Sequence, residues 1–157
     1  MSKHHEMQSI IRQYRDETGE TDVDMKKVAQ YAVQMGWPLS LPVDPLELLA
    51  KEFSRAAREE IKHDAVTGKP YRVNHSLPVP GGQLRLWIDI DQAPRPKMLR
   101  SLMNRREQMV GDGLQLSFDT DHWNSINPAE EPIVIPLDLT DDVEWRKNAP
   151  DEEEEVG

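Results

Sequence analysis

The residues with the most chemistry to offer are cations at helical spacing. Lys51, Arg55, Arg58 and Lys62 follow one another at intervals of four, three and four, so on a helix they share one face. A row of cations of this kind suits a polyanion, because Lys and Arg neutralise phosphates and a guanidinium fork holds them by paired hydrogen bonds. Arg72, His75 and Arg85 follow in a segment of strand character and suit phosphate contacts of the same kind. Arg105-Arg106 comes later, inside a long helical pattern, with Arg105 expected to point away from the core and Arg106 to lie at its boundary.

A plainer reading of the stripe stands beside this one. Glu47 and Lys51 are four residues apart, as are Arg55 and Glu59, so the same face can be an ordinary solvated row of ion pairs.

Other constellations carry less. Asp119, Asp121 and His122 are metal-ligand types, but two carboxylates two residues apart do not share a helix face. Glu60-Ile61-Lys62 has the E-x-K spacing of some nucleases, yet it falls on helical sequence without a convincing upstream Asp. His63-Asp64 fits a helix end, where the dipole favours a cation. The chain has no G-x-S-x-G, Walker A, H-E-x-x-H or G-x-G-x-x-G motif and no Cys. The expectation is a protein that is not an enzyme and has no catalytic residue, no bound metal and no cofactor.

The overall charge of −10 argues against a polyanionic partner only if it is spread evenly, and it is not. Between Lys51 and Arg106 twelve Lys and Arg stand against six Asp and Glu, a local +6, so the remainder carries −16. A basic middle therefore sits between acidic ends, the last of them the run Asp151 to Glu155. The 157 residues leave room for one domain with tails. No apolar run reaches the length of a membrane span, and MSKHHEMQSII lacks a secretory apolar core, so a cytoplasmic protein without membrane contact is expected.

The elements that must position these residues follow from periodicity and caps. Met7, Ile10, Ile11 and Tyr14 predict an N-terminal helix, closed by a polar joint from Glu17 to Asp24. Asp24 caps a second helix over Met25, Val28, Ala29, Ala32 and Val33, which stops at Gly36. After the WPLSLPVDP connector, Asp44 as N-cap, Pro45 at N1 and Glu47 at N3 start a third helix, expected to run to about His63. Pro70–Val79 and Gln83–Ile90 read as two strands joined by Pro80-Gly81-Gly82 into one hairpin. From about Arg95, Leu102, Met109, Leu116 and Trp123 recur every seven residues. They favour a long helix that passes through Gly111 and Gly113 to about Ile126, although Leu114, Leu116 and Phe118 also alternate as in a strand and leave Gly111–Phe118 open to either reading. Ile133 to Leu139 then reads as an edge strand or extended arm, and the acidic end as disordered.

Together these give a mainly α chain with a small β-hairpin, a winged-helix-like arrangement followed by a long C-terminal helix. Residues 1–23 form an N-terminal helix and joint, 24–127 the domain, and 128–157 the arm and acidic tail. In a winged helix the third helix enters the major groove and the hairpin reaches the backbone. The expected function is thus nucleic-acid binding, with DNA as the favoured partner, in a regulatory or accessory role. Its candidate residues are Lys51, Arg55, Arg58, Lys62, Arg72, Arg85 and Arg105. The competing expectation is a protein–protein adaptor docking through the Met98–Trp123 seam, which also suits a homodimer.

The block RREQMVGDGLQLSFDTDHWNSINPAEEPIVIPLDLTDD resembles a segment of small bacterial proteins of the conserved-hypothetical kind. That resemblance implies no activity, cofactor or site residue.

Overall fold

The computed structural model describes residues 2–39, 44–80 and 85–149. Connector residues 40–43, the Gly81-Gly82 part of the expected turn with the two residues after it, and the acidic run 151–155 lie outside the described residues. The chain forms two compact units, Met1–Phe53 and Ser54–Gly157. It is mainly helical, and its described residues hold two antiparallel sheets of two strands each, an α+β composition. Among them, no helix is long and apolar enough to cross a membrane.

The first unit pairs helix α1 (Lys3–Thr18) with α2 (Met25–Gln34). Ser2 Oγ accepts from the His5 amide at 3.2 Å. Gly19, at φ 70°, closes α1 by donating to the Arg15 carbonyl at 2.8 Å; the left-handed turn needs a residue without Cβ. Asp24 caps α2 through the Lys26 amide, 2.9 Å, as its position predicts. Tyr14, Val28 and Ala32 are buried, and the Tyr14 ring meets Tyr31 edge-on at 5.5 Å, the arrangement the ring quadrupoles favour. Helix α3 (Pro45–Glu59) begins in this unit, with Asp44 Oδ1 accepting from the Leu46 amide at 3.0 Å, and ends in the other.

The second unit departs from the single expected hairpin. Helix α3 stops at Glu59 rather than His63. Ile61–His63 is instead a strand, β1, antiparallel to β2 (Pro70–Arg72), with Lys62 opposite Tyr71. The cause is local. Asp64 Oδ1 accepts from the Val66 and Thr67 amides, each at 2.8 Å, and Gly68 turns the chain back at φ 70°. An Asp-initiated turn of this kind outcompetes one more helical turn. Those two amides hold the Asp64 carboxyl below the usual carboxylate range.

The expected strand from Pro70 onward is broken at Val73, which is buried at 3% exposure. Its N–H donates to the Glu60 carbonyl at 3.1 Å and its own carbonyl accepts from Ile90 at 2.9 Å. On either side of it the chain serves a different sheet. β3 (Asn74–Pro78) pairs antiparallel with β4 (Arg85–Asp89), His75 opposite Ile88 and Ser76 opposite Trp87.

Helix α4 runs unbroken from Arg95 to Ile126, through Gly111 and Gly113. Its N-terminal half packs on β3, where Ser101, fully buried, donates through Oγ to the Ser76 carbonyl at 2.8 Å. Its C-terminal half is lined by the chain itself: Pro132–Leu137 lie beside Leu116, Thr120 and Asn124. Asn124 holds that segment like a neighbouring strand, accepting from the Ile133 amide at 2.8 Å and donating to its carbonyl at 2.9 Å. The segment forms no helix or strand, and it ends in a helix that periodicity did not reveal, α5 (Thr140–Lys147). Lys69 Nζ donates to the Lys147 carbonyl at 2.6 Å, tying α5 to the β1–β2 turn.

Candidate nucleic-acid interface

Where the end of α3, the β3–β4 hairpin and α4 meet, they enclose a recess of about 270 Å³. Four arginines line it: Arg58, Arg72, Arg85 and Arg105. Each arrives from a different element. Arg58 stands on the last turn of α3, Arg72 ends β2, Arg85 opens β4, and Arg105 is one turn of α4 beyond the buried Ser101.

Their surroundings hold them in different ways. The Arg85 guanidinium donates to Ser76 Oγ at 3.0 and 3.2 Å and to Asn104 Oδ1 at 3.0 Å, so it bridges hairpin and helix. Arg58 lies over the half-buried Trp87 ring, 5.2 Å from its centroid, in cation–π range. Arg72 is oriented through its backbone. The ring of His75, 6% exposed, uses Nε2 to donate to the Arg72 carbonyl at 2.8 Å, since a carbonyl can only accept. Asn74 Nδ2 donates to the Ala57 carbonyl and to Glu60 Oε1, both at 3.1 Å, and so ties the end of α3 to β3.

None of the four arginines forms an ion pair among the described residues; the pairs there are Arg106–Glu107 at 3.8 Å and Lys147–Glu144 at 3.3 Å, both exposed. The ion pairs expected on α3, Glu47–Lys51 and Arg55–Glu59, are not formed either. Glu60, the acid tied to Asn74, is engaged by an amide rather than by a guanidinium.

Four of the seven residues singled out from sequence therefore share the recess. Lys51 belongs to the other compact unit. Arg55 is exposed on α3 and does not line the recess. Lys62 is off the helical stripe altogether, exposed on β1. Arg105 is turned to the hairpin side of α4 rather than outward to solvent alone. Sequence reasoning missed Asn74, Ser76, Asn104 and Gln108, whose polar side chains complete the walls and bridges. Trp87 was legible in part: it is the one aromatic on the exposed face of an alternating strand.

Asp119 accepts from Gln115 at 2.8 Å on the exposed side of α4, and among the described residues no three acids, His or Cys cluster in a metal-binding arrangement. No family model, curated protein or solved structure matches the chain.

Proposed function

We propose that the protein binds nucleic acid through the arginine recess, in a regulatory or accessory role and without catalysis. The observation that carries this reading is the convergence of Arg58, Arg72, Arg85 and Arg105 on one recess with no carboxylate paired to any of them among the described residues. Like charges gathered in this way repel one another, and an anionic ligand relieves that repulsion. The acidic total does not oppose it, because a Debye length of about 8 Å at physiological salt screens distant carboxylates from an exposed cation.

The chain runs through three helices into two small two-stranded sheets, and in this reading the contacts are shared differently from those of a winged helix. Arg58 rests on the Trp87 ring with its N–H groups unengaged among the described residues, so the hairpin and α4 present cations along with α3. Arg55 and Lys62, exposed in the same unit, are outlying contacts to the backbone.

The test is binding of labelled random-sequence DNA, single-stranded and duplex, followed by fluorescence anisotropy across salt concentrations. Neutralising about four phosphates gives a log–log slope of roughly −3 to −4. Arg58→Glu with Arg105→Glu abolishes the binding and leaves the circular dichroism spectrum unchanged. Absence of binding at low salt removes this reading.

A second reading, a protein adaptor docking through α4, is favoured by the Leu102, Met109, Leu116 and Trp123 seam, which remains 38–57% exposed. It is weakened by the chain's own Pro132–Leu137 segment lying along the same helix.

A further inference from the structure

The recess has features that narrow the kind of phosphate it accepts. Arg58, Arg72 and Arg105 donate no side-chain hydrogen bond to any described residue, whereas Arg85 is engaged by Ser76 and Asn104. Three guanidiniums are therefore available around a space of about 270 Å³, at the lower edge of the range for small-molecule sites. A duplex spreads its charge along each strand at one phosphate per about 3.4 Å of axis, and it is bound over surfaces of roughly 1,000 Å² or more. Cations that read a duplex are accordingly spaced along a surface; here four of them border a single recess.

Concentrated positive charge matches a ligand whose negative charge is also concentrated. An internal phosphodiester brings a single charge and is flanked by sugars on both sides. A phosphomonoester carries about −1.5 to −2 at pH 7 and three acceptor oxygens, and it stands at the end of a chain, free to enter a recess. Guanidinium forks from separate elements can each take a pair of those oxygens.

Building on the nucleic-acid reading, we propose that the recess receives a phosphomonoester, the terminal phosphate of a nucleic-acid strand. Arg58, Arg72 and Arg105 supply the free donors. Arg85, locked to Ser76 and Asn104, fixes the spacing between the hairpin and α4. The strand beyond the terminal phosphate runs outward over exposed cations of the same unit, Arg55 and Lys62 among them.

The experiment compares single-stranded 12-mers of one sequence, each labelled at the end not under test and carrying a 5′-phosphate, a 5′-hydroxyl, a 3′-phosphate or a 3′-hydroxyl. The full chain is used. A phosphorylated end binds about 10- to 100-fold more tightly than the matching hydroxyl end, as a charged group gaining several hydrogen bonds should. Arg58→Gln and Arg105→Gln each shrink that ratio towards one. The ratio is measured first on the unaltered protein, so the test holds even if a variant fails to fold. Equal affinity for phosphorylated and hydroxyl ends overturns the terminal-phosphate assignment while leaving nucleic-acid binding in place. No binding to any oligonucleotide overturns both. Adenosine monophosphate or inorganic phosphate binding as tightly as the phosphorylated 12-mer overturns the strand as source, leaving a site for small phosphate compounds.

Discussion

Ser101 Oγ donates to the Ser76 carbonyl at 2.8 Å, and Ser101 is fully buried where α4 crosses β3. The same Ser76 accepts from Arg85 through its hydroxyl, so one short contact sets both the helix-to-hairpin spacing and a wall of the recess. Ser101→Ala removes the donor and leaves the half-buried Ser76 carbonyl without it. The expected loss is about 1–3 kcal/mol, read as a lowered urea midpoint at unchanged slope. Ser101→Leu forces α4 away from the hairpin and costs more. An unchanged midpoint for both variants would show that this crossing does not hold the unit together.

Arg58 shields one face of Trp87. Arg58→Ala exposes that face to water, so the tryptophan emission moves to longer wavelength. In a Trp87→Phe background the same change leaves the emission of the remaining tryptophans where it was. The stability cost is small, about 0.5–1 kcal/mol, as for a cation–π contact open to solvent. A shift that persists without Trp87 would place the effect elsewhere.

Asn124 substitutes for a β-strand neighbour by pairing with both backbone groups of Ile133. Asn124→Ala takes away both bonds and releases the segment along α4. Amide exchange over residues 129–139 then quickens, while exchange in β3 and β4, at the other end of the helix, stays as it was. The local cost is about 1–3 kcal/mol. Equal protection in both proteins would mean that the apolar contacts to Leu116 and Thr120 suffice.

Asp64 anchors the β1–β2 turn with its ionised carboxyl, held below the usual range by the Thr67 and Val66 amides. A carboxyl with a depressed folded-state pKa stabilises fully above its unfolded value, about 3.9, and the contribution disappears as pH falls through the lower folded value. Acid titration from pH 5 downward therefore loosens this turn, followed by the amide signals of Val66 and Thr67. Asp64→Ala shows the loosened turn already at pH 7 and loses the acid-dependent step. A variant that retains the step would assign it to another carboxyl.

Ending the chain at Ala149 removes five carboxylates and brings the formal charge from −10 to −5. Long-range repulsion of a polyanion falls, so the truncated chain binds DNA several-fold more tightly at low salt. The two proteins converge near 1 M salt, where the Debye length is about 3 Å. Equal affinity at low salt would show that these acids do not act on the basic surface at all.

Legibility from sequence tracked the range of the interaction involved. Asp24 and Asp44 cap helices with amides two residues away, and such contacts are written in adjacent letters. The continuity of α4 past two glycines was readable only as a preference, because the seven-residue apolar repeat favours a helix while Leu114, Leu116 and Phe118 alternate as in a strand and each glycine costs about 1 kcal/mol. The end of α3 was misplaced for a physical reason: Ile61 and Lys62 suit either structure, and the Asp64 turn with its β2 partner decides between them. Val73 is similar. It reads as one more strand residue, and only the carbonyl of Glu60 and the amide of Ile90 reveal that two sheets meet there.

By itself the amino-acid order determined the first four helices apart from the end of α3, the Asp24 and Asp44 caps, the alternation that makes β4 a strand, and the presence of a basic middle between acidic ends. These depend on neighbours within a few residues or on composition. Which cations stand together was decided by tertiary structure alone. Lys62 left the helical row when β1 formed, while Arg105 joined Arg58, Arg72 and Arg85 because a buried serine holds α4 against the hairpin. Contacts between residues separated by 25 or more positions carry no periodicity, so that arrangement exists only once the elements are packed.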